Sequence, residues 1–184
     1  MGNAHCGFKN FHYCLRTANA VPVPMPGAVR LTREPDMQEL KIVPNVIGKP
    51  TEYVSSYMDK GIKLGLEIVS LPVTFLTDVL GYTIDANGVL VENEHPAVHF
   101  ALLYETHTTS GDMIRHSYLD CVCRKPRFDA STLSGSSRIE TRRLELVANR
   151  DIFNRDIFGS RAIKKSITKE TNAAVFNSWF SALY

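Results

Sequence analysis

Apolar and polar positions alternate with a period of two in several segments of this chain. Ile62, Leu64, Leu66 and Ile68 fall on one face of an extended segment, and Lys63, Gly65 and Glu67 fall on the other. Val98, Phe100, Leu102 and Tyr104 repeat the pattern over residues 97–105. Ser110-Gly111-Asp112 then turns the chain into another strand, 113–123. Residues 7–15 alternate more weakly, 28–32 place β-branched residues between turn signals, and 162–168 read as a last strand. Residues 138–147 are extended with charge on both faces, as expected for a strand only partly covered by its own subunit. Asn87-Gly88 is the strongest hairpin signal in the chain.

A helical period occurs twice. Phe75, Leu76, Val79 and Leu80 form one stripe over residues 72–80, with Pro72 suited to the first turn and Gly81 to a left-handed stop. Phe176, Trp179, Phe180 and Leu183 form the other over 173–183, with Asn172 or Thr171 as the cap and Trp179 as a core anchor. Strands dominate, turns are frequent, and strands and helices do not alternate. The expected fold is therefore mostly β, an antiparallel two-sheet β-sandwich or partly open barrel. It carries a short flanking helix at about 72–80 and a C-terminal helix at about 173–183, in a single domain over 1–184.

Residues 34–60 fit neither period. Pro35, Pro44 and Pro50 interrupt them, yet they carry many apolar side chains. A long connection without a period is unusual inside a compact domain. We read it as an extended loop or arm. Leu40, Ile42, Val46, Ile47, Tyr53 and Tyr57 are its candidate subunit-interface residues, because their apolar surface needs a partner.

The 184 residues, 44% of them apolar and 22% charged, suffice for one ordinary core. A net charge of +2, with small scattered basic clusters, gives no concentrated phosphate-binding face. It also lets identical copies pack without strong self-repulsion. Met1 to Asn10 has no apolar run, and no window approaches the ~18 apolar residues of a membrane span. The expectation is a chain that is made and used without crossing a membrane, its four cysteines free thiols.

Candidate chemistry is sparse. Cys121-Val122-Cys123, with Cys6, Cys14 or His12, is the nearest approach to a zinc site, but its spacing is poor and small apolar fillers are the better reading. His95 and His99 are four apart, but Pro96 and the strand pattern spoil a helical metal pair. Gly48-Lys49 lacks the other residues of a phosphate loop, and Ser134-Gly135-Ser136 lacks the glycines of a nucleophile elbow. Asp36 and Glu39 read as solvated carboxylates. No catalytic, cofactor-binding or metal residue is assigned. The echo Arg150–Asn154 and Arg155–Gly159 (RDIFN, RDIFG) is too short for a repeat architecture.

Several motifs do share a pattern. They are Gly7-Phe8-Lys9-Asn10-Phe11-His12-Tyr13, Ser70-Leu71-Pro72 with a helix ending Leu80-Gly81-Tyr82, and Asn87-Gly88-Val89-Leu90-Val91-Glu92. Phe100-Ala101-Leu102-Leu103-Tyr104 and the closing segment with Trp179-Phe180 complete the set. In this order they resemble the major tail (tail tube) proteins of long-tailed, siphovirus-type bacteriophages. The resemblance implies a structural virion protein, not an enzyme, without cofactors. It would form homohexameric rings that stack into the tail tube, the conduit for genome ejection. Its implied partners are itself, a tape measure protein inside the tube, tail terminator and tail-tip proteins, and double-stranded DNA passing transiently. The implied location is the virion tail, and the host cytoplasm during assembly. The alternatives are another tube-like ring protein (a tail terminator or secretion-system tube), a Cys/His metal-dependent enzyme, and a monomeric binding module. In a tube, lumen-facing side chains are expected to be net acidic, so that DNA slides.

Overall fold

The alternating segments become strands of one strongly bent antiparallel sheet. The computed structural model describes residues 5–41, 55–94, 97–126, 141–154 and 161–184. Its elements are β1 (His5–Leu15), β2 (Val23–Pro24), β3 (Ala28–Lys41), β4 (Ser55–Ile68), α1 (Val73–Asp78), β5 (Tyr82–Ile84) and β6 (Leu90–Glu92). They continue as β7 (Phe100–Thr108), β8 (Met113–Cys123), β9 (Arg142–Asn149), β10 (Lys164–Thr168) and α2 (Ala173–Ser178).

The strand order is β2-β1-β7-β8-β9-β4-β3, and β10 also pairs with β8. Strand β8 forks the sheet. Residues 114–118 pair with β10, and 120–123 pair with β9. The β7–β8 register shifts between Phe100 and Leu102, and such a bulge bends a strand. The sheet therefore doubles over into two layers without closing into a barrel. The expected mostly-β, two-layer antiparallel fold is what is observed.

The main core lies between the layers. Phe100, Leu102 and Tyr104 meet Tyr13, Leu64, Leu66, Ile68, Leu144 and Leu146 there. Fully burying a side chain of this size stabilises the fold by about 1.5–3 kcal/mol. Helix α1 closes one end: Phe75 packs edge-on against Tyr13 and Phe100, at 5.1 and 5.7 Å between ring centroids. The Tyr13 hydroxyl donates to Asp78 Oδ2 at 2.8 Å. The opposite face of β7 is buried too, with Ala101 and Leu103 beside Ile167, Phe176 and Trp179. There Asn172 caps α2 by accepting the Val175 N–H at 3.1 Å, and Trp179 Nε1 donates to the His116 carbonyl.

Three expectations need correction. Both helices are shorter than their apolar stripes. Pro72 is the N-cap of α1 rather than a helical residue, and Val79 and Leu80 lie in the turn that follows. The chain turns again after Ser178, where Ser181 N–H bonds the Ser178 carbonyl. The stripes persist because turn residues also reach the core. Strand β9 is better covered than a strand with charge on both faces implies: only its first residue, Arg142, adds a charge to the face of Leu144. Leu144, Leu146 and Ala148 are buried while Arg143 and Glu145 are exposed, because β9 lies between β8 and β4 with one face in the core.

Candidate assembly interface

The largest departure from the sequence reading falls in residues 34–60. The described part is not a loop. Strands β3 and β4 pair from Ala28 opposite Ile68 to Lys41 opposite Ser55, a hairpin with 14 residues in each arm. Pro35 is tolerated because β3 is an edge strand. The missing alternation has a simple cause. Past Gly61 the hairpin leaves the sheet, and a ribbon in water on both faces needs no apolar side.

The point of departure is built into the backbone. Pairing of β4 with β9 ends at Ile62 opposite Ala148. Asp36 lies opposite Gly61 but Met37 opposite Asp59, so Lys60 is an extra, bulged residue. Gly61 has φ +124°, and a Cβ there would meet the Ala148 carbonyl oxygen at 2.6 Å. Only glycine fits this position. Asp59 Oδ1 accepts the Gly61 N–H at 3.0 Å and fixes the bend. From here, among the described residues, two strands run on without a third for roughly 20 Å, at about 3.3 Å per residue.

This ribbon exposes apolar side chains. Tyr57 is 64% exposed, Met37 56% and Met58 49%. Cross-strand register puts Met37, Glu39, Tyr57 and Asp59 on one face, and Gln38 and Met58 on the other. Of the sequence-assigned interface residues, Tyr57 lies opposite Glu39 and Leu40 opposite Ser56. Ile42, Val46, Ile47 and Tyr53 lie outside the described residues. Two sheet edges accompany the ribbon. Among the described residues, β3 has no strand on its outer side, and β2 covers only His12 and Tyr13 of β1. Unpaired edges are templates for another chain. A second exposed apolar patch sits on the β5–β6 hairpin, at Ile84, Val89, Leu90 and Val91. Asp85 Oδ1 accepts the Asn87 and Val89 N–H groups in its turn, and Lys125 ties the hairpin down through Glu92 and the Asn93 carbonyl.

The sequence's candidate chemical groups do not converge. Cys121 and Cys123 lie in the main core, and Cys14 lies in the second cluster behind the sheet. Burial pushes the Cys123 thiol up to about 12 and also raises Cys121 and Cys14. A thiol held protonated is in the wrong state to bind metal. His12 stacks on Phe180, and His99 Nδ1 contacts buried Asp120 Oδ1 at 2.6 Å. Asp36 pairs with Lys63 at 3.0 Å. His95, Gly48-Lys49 and Ser134-Gly135-Ser136 lie outside the described residues. Among the described residues no group of three or more His, Cys, Asp or Glu is placed to hold a metal ion. No described helix is long and apolar enough to cross a membrane.

Sequence reasoning missed two buried polar latches. Arg16 Nη2 donates to Asp151 Oδ1 at 2.8 Å, and its guanidinium lies 4.7 Å from the Phe153 ring centre. Arg115 Nε donates to buried Glu105 at 2.9 Å, while the same guanidinium covers Phe176 at 4.0 Å. The first pins the segment after β9, and the second pins α2. Glu105 left a trace, since it continues the Ala101, Leu103 row of β7. Arg16 left none, because its partner is distant in sequence.

Compared with known proteins, the chain matches no family model and no curated protein.

Proposed function

We propose that this chain is a structural subunit that works by contact with its own kind, a tail-tube-type virion protein forming hexameric rings that stack into a conduit for DNA. The observation that carries the reading is the β3–β4 ribbon. It leaves the sheet at a glycine-dependent bulge and offers Met37, Tyr57 and Met58 with nothing of its own subunit over them among the described residues. A two-stranded ribbon is marginal in water on its own, and a neighbour's surface stabilises it.

The open edges of β3 and β1 add to the argument. Strand β3 ends the strand order, and β1 lies next to its other end, where β2 covers only two of its residues. Pairing one to the other on the next copy is a head-to-tail contact, which closes into a ring when the rotation permits. A ring's two remaining surfaces then stack. In this reading the tape measure protein fills the tube, terminator and tip proteins cap it, and DNA passes through it. The chain resides in the virion tail and, before that, in the host cytoplasm. A tail terminator or secretion-system tube subunit would use the same geometry at different copy number.

The test replaces residues 38–58 with Asn-Gly, which joins Met37 to its cross-strand partner Asp59 through a two-residue turn and removes Tyr57 and Met58. The shortened chain is expected to fold, melt like the parent and stay monomeric by sedimentation. Normal tubes from it would overturn the proposal.

A further inference from the structure

Strands β3, β4 and β9 bury Leu64, Leu66, Leu144 and Leu146 on one side and turn the other to solvent. Cross-strand register sets out the solvent-side residues in rows. Arg30, Glu67 and Arg143 form one row, and Glu34, Lys63 and Val147 another. Between them lie Thr32, Gly65 and Glu145. The Arg124 N–H bonds the Glu145 carbonyl at 3.0 Å and extends that middle row. Two basic clusters that are separate in sequence, Arg124-Lys125 and Arg142-Arg143, thus each send one arginine to this face. An open hollow of about 660 Å³ lies over it.

Gly65 floors the hollow, and neither a turn nor a bulge explains it. Its φ lies outside the left-handed region, and the pairing on both sides of β4 runs through it without a shift. Glycine weakens a strand interior, and its use there marks a close approach to the backbone. A Cβ on residue 65 would meet Thr32 Oγ1 at 2.5 Å and Arg143 Nε and Nη2 at 3.3 Å each. The Arg143 guanidinium therefore leans into the space that a side chain would fill. Its cross-strand partner Glu67 pairs instead with Arg30, at 3.8 Å, and Glu145 pairs with Arg124, at 4.0 Å. Lys63 is held by Asp36 at 3.0 Å, and Glu34 stands two strands away from Arg143. Among the described residues Arg143 is thus left without a carboxylate. Exposed ion pairs as long as those of Arg30 and Arg124 contribute little, so both arginines can turn to a stronger acceptor.

We propose that this hollow is an oxyanion site for a phosphate-type group, held by Arg143 over the bare Gly65 backbone with Arg30 and Arg124 at the rim. A guanidinium presents its N–H donors in a fixed fork that matches phosphate oxygens, and charge-assisted bonds of this kind are the strong ones. Thr32 adds a hydroxyl at the same point. The group is either a free phosphate or the phosphodiester of a nucleic acid. The site lies within one subunit and does not rest on ring assembly, so either reading can fail without the other.

The experiment titrates the full-length chain with inorganic phosphate, and separately with a short double-stranded DNA, against chloride at matched ionic strength. Calorimetry reads binding, and NMR follows the Arg143 Nε–H signal. Saturable binding of either probe, with a shift of that signal, is the expected result. Phosphate alone marks a free anion as the ligand, and DNA marks a phosphodiester. Arg143→Met, an exposed position that leaves the core untouched, should weaken binding at least ten-fold. Gly65→Ala, which crowds the guanidinium out of the hollow, should weaken it too. Lys169→Met removes an exposed positive charge elsewhere and should leave it unchanged. No saturable binding of either probe, undiminished binding by Arg143→Met, or an equal loss in Lys169→Met overturns the proposal.

Discussion

Replacing Met37 and Tyr57 together by threonine separates folding from assembly. Both side chains lie on one face of the ribbon, on neighbouring registers, and both are more than half exposed. Threonine keeps the preference for strand and removes most of the apolar area. Exposed substitutions of this kind change monomer stability by about 0.5 kcal/mol or less. Docking is different. Full burial of such side chains is worth about 1.5–3 kcal/mol each, and the area still exposed here is roughly half to two thirds of that, so the pair contributes about 2–4 kcal/mol per contact. With 1.4 kcal/mol for each factor of ten, each contact weakens by roughly 30- to 700-fold. Sedimentation velocity over a concentration series reads the shift, and thermal melting checks the fold. Met58→Thr, on the other face, removes a single contact and should shift assembly less. A double variant that melts like the parent and assembles at the same concentration would refute the reasoning.

Other outcomes follow from particular contacts. Gly61→Ala forces a Cβ against the Ala148 carbonyl at a positive φ, so destabilisation of about 1–3 kcal/mol and a lower melting temperature are expected. Asp151→Ala leaves the buried Arg16 charge unpaired and should cost about 3–5 kcal/mol in urea unfolding. Burial holds the Cys123 and Tyr13 protons to about 12, above their unfolded values. The unfolded chain therefore releases these protons first, so the stability they provide is complete below about pH 8.5 and is lost as pH rises towards 12. Denaturant midpoints should fall across that window, and a thiol reagent at pH 8 should label neither Cys121 nor Cys123 before unfolding. A flat profile, or rapid labelling of the folded chain, contradicts the burial argument.

The elements legible in the sequence are those whose faces differ. Phe100, Leu102 and Tyr104 announced β7, and Asn87-Gly88 marked the β5–β6 turn, because one side of a strand or two residues of a turn carry the whole signal. The far end of the β3–β4 hairpin was illegible for the opposite reason. With water on both faces, its composition reads as loop, and Pro35 reinforces the impression. The arm's apolar character was visible, but its strand pairing, its register and the bulge at Gly61 were not.

Negative-stain microscopy of the concentrated, purified chain tests self-assembly most directly. Six-fold rings and stacked tubes are the predicted result. Fields of single, separate subunits at every concentration would contradict the account.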